Sequence, residues 1–207
     1  MIPLFVDCSG KRVVIFGGGE VAARKAAYFC VEAQVLVVSR SFSENFCGLA
    51  VEQQNMDIST AYDDILGELI NGAFLVIGAL SDPAQNNRIG ALCRARDILF
   101  NNADGEPGDV TIPSVTKGKN YVLAISTGGS SPAVARFIRE TLESEYPALD
   151  AMIGMQAQLR EQLKMSEPSQ PKRNAILSDI LRDSEIWNLL GEDPAAARLR
   201  ALEKYHV

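Results

Sequence analysis

Residues Val13 to Lys25 read VVIFGGGEVAARK. An apolar run ends on three consecutive glycines, and a run of good helix formers, Glu20 to Ala27, begins at once. This pattern is that of a buried strand, a tight turn and a helix N-terminus. Gly17 and Gly19, with Ala22, match the G-x-G-x-x-G/A spacing of dinucleotide-binding folds. Each position has a physical task. Gly17 permits the sharp turn off the strand. Gly19 lacks a Cβ, so a pyrophosphate can approach the backbone. Ala22 is small enough for the helix to lie close on the sheet. The helix N-terminus offers N–H groups and the positive end of its dipole to phosphates. The competing reading is a glycine turn in an ordinary α/β domain that binds no ligand.

The rest of the chain tests whether that turn stands in the right context. Glu20 to about Val31 reads as the first helix, and QVLVVS (Gln34–Ser39) as a continuous apolar strand of the kind covered on both faces. Asn45–Gln54 is mixed in character. Tyr62–Ile70 has helical spacing, and AFLVIGAL (Ala73–Leu80) is a further buried strand. Asp82–Arg96 reads as a helix with Pro83 in its first turn, and Asp97–Phe100 opens another strand that ends at Asn101–Asn102. Strand and helix alternate throughout, which predicts an α/β fold with a doubly wound parallel sheet. Met1–Val6 is a short apolar segment, read as an extra strand or an edge.

After Asp104 the pattern changes. Gly105 to Asp109 is a turn cluster. Val110–Ser114 and Tyr121–Ser126 read as two strands joined by the basic turn Lys117-Gly118-Lys119-Asn120. Thr127 to Ser131 is a loop, and Pro132 opens a strong helix with Ser131 as its N-cap. Two strands and one helix cannot bury two faces alone, so a second subunit is expected against them. From Pro147 onward the chain is helical: MIGMQAQLREQLKM, a break at Ser166–Arg173, a helix over Ala175–Leu190 with Trp187 in its apolar stripe, and Ala195–Lys204.

Composition excludes several classes. The net charge of −6 argues against a nucleic-acid surface. The cysteines, Cys8, Cys30, Cys47 and Cys93, form no C-x-x-C pair, and the only histidine is His206, so no metal site is expected. Buried thiols are the reading for Cys30 and Cys93. The N-terminal residues do not read as a signal peptide, and no apolar run approaches a membrane span. A cytoplasmic protein with reduced thiols is expected.

Strand Gln34–Ser39 is followed by Arg40 and Ser41, roughly 20 residues after the glycines, where NAD enzymes usually place an acid on the ribose hydroxyls. No acid is there. Arg40 is suited to a 2′-phosphate, to lying flat on an adenine, or to plain solvation, so spacing alone leaves NADP open.

Four stretches together, GGGEVAARK, GALSDPAQNNRI, NNADGEP with IPS shortly after, and AISTGGSSPAVARFIRETLE, closely resemble the precorrin-2 dehydrogenase / sirohydrochlorin ferrochelatase family, which is also the N-terminal module of siroheme synthase. The resemblance runs from about Pro3 to Leu142. The helical tail matches only in length and character. The resemblance implies oxidation of precorrin-2 to sirohydrochlorin with NAD, in many members followed by Fe²⁺ insertion to give siroheme. It implies a homodimer built from a Rossmann domain (1–112), a small α+β dimerisation domain (113–146) and a helical C-terminal domain (147–207). NAD contacts are implied at the glycine turn, Gly17 to Val21 with Glu20 between, and at Arg40 and Ser41. Ser81 and Asp82 match a position near the nicotinamide, and Asn86 matches a family asparagine. The local alternatives are helix capping for Asp82 and an exposed amide for Asn86.

Asp104 matches the family's catalytic aspartate. Its chemistry fits: loss of a hydride and a proton needs an acceptor for each, and a carboxylate in reach can take the proton. Metal insertion also removes pyrrole protons, so one carboxylate can serve both steps. Without the resemblance, Asp104-Gly105 reads as a turn. The loop Ser126, Thr127, Gly128, Gly129, Ser130, Ser131 precedes a helix N-terminus suited to the carboxylates on the substrate's rim. Arg136, Arg139, Lys117 and Lys119 lie nearby in sequence as further carboxylate ligands. Helix capping and solvated cations are the plain alternatives. Two other functional readings stay open: a dehydrogenase without chelatase activity, and a nucleotide-sensing Rossmann module without chemistry.

Overall fold

The computed structural model describes residues 2–207 and divides into two compact units, one ending at Ile112 and the other running from Pro113 to Val207. The first unit is a five-stranded parallel sheet in the order β3-β2-β1-β4-β5. Its elements are β1 (Arg12–Phe16), α1 (Glu20–Phe29), β2 (Gln34–Ser39), β3 (Glu52–Asn55), α2 (Asp63–Ile70), β4 (Leu75–Gly78), α3 (Pro83–Arg94) and β5 (Leu99–Asn102).

Alternate residues of each strand serve opposite faces. Val13, Ile15, Val35, Val37, Leu75 and Ile77 meet Ala22, Ala23, Ala26 and Phe29 of α1. Val14, Phe16, Leu36, Val38, Val76 and Phe100 meet Leu66 and Ile70 of α2 and Ile89 and Cys93 of α3. Helices thus cover both faces, as the doubly wound reading requires. This is why the central strands are apolar at every position rather than at every second one. Burial among these side chains pushes the Cys93 thiol up to about 12.

Several boundaries depart from the sequence reading. Strand β3, EQQN, has no strand signature in the sequence because its side chains are polar and mostly exposed. It exists because β2 offers it a ladder from Leu36↔Glu52 to Ser39↔Asn55. Ile2–Val6 is neither strand nor helix and exposes Ile2, Leu4 and Phe5, while Met1 of that expected segment lies outside the described residues. Val110–Pro113 is not a strand. The Val110 N–H bonds back to the Phe100 carbonyl at 3.1 Å, and Val110 and Ile112 pack on the α1 side of the sheet core.

The second unit opens with a hairpin, β6 (Ser114–Lys117) paired antiparallel with β7 (Val122–Ile125). Helix α4 (Pro132–Glu145) packs on it, and α5 (Leu149–Ser166), α6 (Gln170–Arg182), α7 (Ser184–Glu192) and α8 (Pro194–Tyr205) follow. The helix expected over Ala175–Leu190 is two helices. Asp183 ends α6, and its carboxylate accepts the Glu185 N–H at 3.0 Å to start α7. Met152, Met155, Leu159, Ile180, Ile186, Leu190, Ala197 and Ala201 form the core of α5 to α8. Among the described residues no helix is long and apolar enough to cross a membrane.

Candidate active site

In a parallel sheet all strands end on one edge, and ligands bind outside those carboxyl ends. A cavity of about 950 Å³ lies along that edge of the first unit, and all five strand ends reach it. After β1 come Gly17 to Val21; after β2, Arg40 and Ser41; after β3, Asp57 and Ser59; after β4, Ser81 and Asp82; after β5, Asp104. The sequence-predicted cofactor residues and Asp104 therefore line one cavity.

The glycine turn is built for close approach. Gly17 has φ +129°, and a Cβ there would strike the Ala79 carbonyl. At Gly18 a Cβ would collide with the Ser41 carbonyl, and the Gly18 carbonyl accepts the Ser43 N–H at 2.8 Å. Gly18 therefore locks the turn after β1 to the turn after β2, a task its sequence position does not announce. A Cβ on Gly19 would meet nothing within 4 Å. Gly19 is also the N-cap of α1, whose first internal bond is Ala23 N–H to the Gly19 carbonyl at 3.0 Å. Open space over a helix start suits a pyrophosphate, so the residues present fit a dinucleotide.

Asp104 sits on a loop held by four asparagines. The Asn86 side chain is wholly buried; its Oδ1 accepts the Leu80 N–H, and its Nδ2 donates to the carbonyls of Leu80 and Asp104, all at 3.0 Å. One amide thus ties the turn after β4 to the backbone of Asp104, and the exposed-amide reading of Asn86 is wrong. Gly78 beneath it leaves the room, since a Cβ there would lie 3.0 Å from Asn86 Oδ1. Asn102 Oδ1 accepts the Asp104 N–H at 3.2 Å, and Asn102 Nδ2 donates to the Glu106 carbonyl at 2.7 Å. Asn87 Oδ1 accepts from Asn102 Nδ2 and from the Glu106 N–H. Asn101 Nδ2 holds the Val110 carbonyl at 2.7 Å, while Lys25 Nζ donates to Asn101 Oδ1 at 2.8 Å. Burial lowers the Lys25 ammonium to about 8, with Arg24 adding repulsion. Asp82 caps α3 through the Ala84 N–H at 2.9 Å while also facing the cavity. Its capping and cavity-lining positions are compatible.

Beyond β2, Arg40 Nη1 lies 3.6 Å from Asp57 Oδ2, with the arginine side chain 75% exposed. The Ser59 hydroxyl, then burial opposing it, then the Ser59 N–H and Arg40 act on the Asp57 carboxyl, which is held below its usual range. Asp57 is the cavity's acid that the sequence reading missed. It comes from the end of β3, the strand whose polar sequence hid it.

The second unit carries the other predicted residues. Ser126 Oγ accepts the Gly128 N–H at 3.1 Å, and Thr127 Oγ1 accepts the Ser131 N–H at 3.0 Å. Gly128 and Gly129 take φ +64° and +88°, and Ser130 N–H bonds to the Thr127 carbonyl. Ser131 caps α4 through the Val134 N–H at 3.4 Å. The loop's hydroxyls therefore shape the loop itself. Arg136 Nε is paired with Glu140 at 2.7 Å, and Arg139 Nη1 with Glu143 at 2.6 Å.

Sheet order, glycine turn and cavity define a dinucleotide-binding α/β protein of the Rossmann class. A family model described as putative NAD(P)-binding matches residues 4–114, and one described as sirohaem biosynthesis protein central matches residues 123–145. The chain is 42% identical over 205 residues to a precorrin-2 dehydrogenase of Methanosarcina barkeri, covering 97% of this chain and 91% of that protein. It belongs to the precorrin-2 dehydrogenase family of sirohaem biosynthesis. A siroheme synthase of Pectobacterium atrosepticum is 34% identical over 175 residues, where the match covers 83% of this chain but 36% of the relative's length. The solved structure of SirC, a precorrin-2 dehydrogenase, matches with a TM-score of 0.71 at 22% identity, over 100% of this chain and 99% of that one, a likeness of fold.

Proposed function

We propose that this chain oxidises precorrin-2 to sirohydrochlorin with NAD, and that Asp104 is its proton acceptor. The observation that carries this reading is the single cavity shared by the glycine turn and Asp104. A bound dinucleotide supplies the hydride acceptor. The chain's own residues do the rest. Gly17 to Val21 receive the phosphates at the start of α1, Arg40 and Ser41 meet the adenosine end, and Ser81 and Asp82 face the reacting end. Asp104 takes the proton released as the macrocycle gains a double bond. The asparagine bonds to its backbone fix the loop from which the carboxylate projects, and a fixed loop is part of what positional catalysis needs.

Ser126, Thr127, Gly128, Ser130 and Arg136 are read as the substrate-carboxylate site. Arg136 leaves Glu140 to engage a substrate carboxylate, an exchange of one exposed ion pair for another that costs little. The finer division into a Rossmann domain (1–112), a dimerisation domain (113–146) and a helical domain (147–207) belongs to the same reading, as does a cytoplasmic location. The homodimer is supported by α4 and β7, where Val122, Val134, Phe137 and Ile138 are exposed on one chain, Phe137 at 67%. The same reading extends to Fe²⁺ insertion into sirohydrochlorin, with Asp104 accepting the pyrrole protons.

The test is a paired assay on wild type and Asp104→Asn. NADH formation with precorrin-2 is followed first; Fe²⁺ uptake by sirohydrochlorin without NAD is followed second. Wild type forms NADH, and the variant is slower by about a hundredfold or more, with NADH affinity retained. A variant with full activity refutes the role of Asp104. Wild type that forms NADH but takes up no Fe²⁺ is a dehydrogenase alone.

A further inference from the structure

The acid that a dinucleotide fold usually carries at the end of its second strand is replaced here by Arg40, and an arginine at that point suits a 2′-phosphate. The fold supplies the missing acid from the next strand. β2 and β3 run parallel with Ser39 opposite Asn55, and the Met56 N–H continues the ladder to the Ser39 carbonyl at 2.9 Å. The residues leaving the two strands, Arg40 and Asp57, must therefore emerge side by side. Asp57 does not swing freely. Its Oδ1 accepts the Ser59 N–H at 3.0 Å and the Ser59 hydroxyl at 2.6 Å, which leaves Oδ2 turned to Arg40 Nη1 at 3.6 Å. Arg40, Asp57 and Ser59 all line the cavity that the glycine turn opens.

We propose that Asp57 sets the dinucleotide preference of this cavity: by holding Arg40 and placing a carboxylate beside it, Asp57 withholds the guanidinium from a 2′-phosphate and favours NAD over NADP. The proposal rests on the dinucleotide-binding reading of the cavity. An exposed arginine–carboxylate pair contributes little to stability, so holding Arg40 is not needed for the fold. Its consequence is electrostatic and falls on a ligand. A 2′-phosphate adds nearly two negative charges, whereas the NAD ribose adds none, so NADP is much the more sensitive of the two to whether Arg40 is neutralised.

The experiment is equilibrium titration of NADH and of NADPH, by the fluorescence of the bound dinucleotide, into wild type, Asp57→Asn, Arg40→Ala and the double variant. Asn keeps the volume of Asp57 and an oxygen for Ser59; Asp57→Ser is the second variant should the first melt early. Wild type is expected to bind NADH more tightly. In Asp57→Asn the ratio of the two dissociation constants moves toward NADPH by about tenfold, mainly through tighter NADPH binding. Adding Arg40→Ala removes most of that gain. An unchanged ratio in both Asp57 variants overturns the proposal, as does a gain fully retained without Arg40. Equal loss of both ligands assigns Asp57 to adenine contact and also overturns it. A wild type that binds neither dinucleotide overturns the dinucleotide reading itself, a result distinct from an unchanged ratio.

Discussion

The two units close their cores in different ways. In the first, the central strands and helices cover each other completely: Val13 to Phe16 of β1 are wholly buried and α1, α2 and α3 seal both faces. In the second, α5 to α8 enclose their own core, but the β6–β7 hairpin and α4 do not. No residue of β6 or β7 is fully buried, and Ala135 is the one buried residue of α4. A sheet sealed on both faces needs no further chain, whereas a hairpin under one amphipathic helix leaves apolar surface that only something else can cover. Both units carry ion pairs at the surface, Arg40–Asp57 in the first and Arg136–Glu140 and Arg200–Glu185 in the second. The buried polar side chains among the described residues, Ser39, Asn86 and Asn101, all belong to the first unit.

The comparison breaks first at the glycine turn. Gly18→Ala forces a methyl against the Ser41 carbonyl, so the first unit is expected to lose about 2–3 kcal/mol together with its NADH binding. The check is a chemical melt followed by dinucleotide titration. Retention of both would mean that the turns after β1 and β2 yield freely. Next is the unfinished face. Phe137→Ser leaves the single chain intact, because the ring is exposed there, and is expected to shift the dissociation constant of the proposed homodimer upward by about thirtyfold or more. Sedimentation at micromolar concentration reads it, and a wild type that sediments as a monomer removes the need for a partner on α4.

The smallest effect concerns the indoor cation. Lys25 is lowered to about 8 from 10.5 by burial. Between those values the unfolded chain binds the extra proton, so stability gains from Lys25 as pH rises through that window and is held back below it. Solvent at the amine's open end limits the effect to about 1 kcal/mol. The melting temperature of wild type relative to Lys25→Met is therefore expected to climb by roughly 2–4 °C between the neutral and alkaline ends. A constant difference would show that the amine is as well solvated as those on the surface.

Local signals made part of this legible. β1, α1 and β2 lie within a few residues of where Val13–Lys25 and Gln34–Ser39 predict them, since a strand buried on both faces writes itself as an unbroken apolar run. Ser131 and Pro132 announce α4 because capping is a short-range matter. β3 has no such signature; EQQN is a strand only because β2 lends it hydrogen bonds. The expected strand at Val110–Ser114 failed because Val110 and Ile112 were drawn to the α1 face of the core, and β6 begins after Pro113. The helix over Ala175–Leu190 failed because Asp183 caps a new helix where periodicity saw a continuous stripe.

The sequence by itself determined the doubly wound class, the glycine turn, and the family through motifs spaced along the first two-thirds of the chain. Each of these rests on neighbours in the chain, where side-chain period, backbone freedom and capping act over a few residues. Only the tertiary structure decided that Gly18 locks onto Ser41, that Asn86 bridges Leu80 and Asp104, and that Asp57 meets Arg40. Those pairings join residues that are far apart in sequence. They come about because parallel strands deliver all their ends to one edge, so residues with no local relation become neighbours around a single cavity.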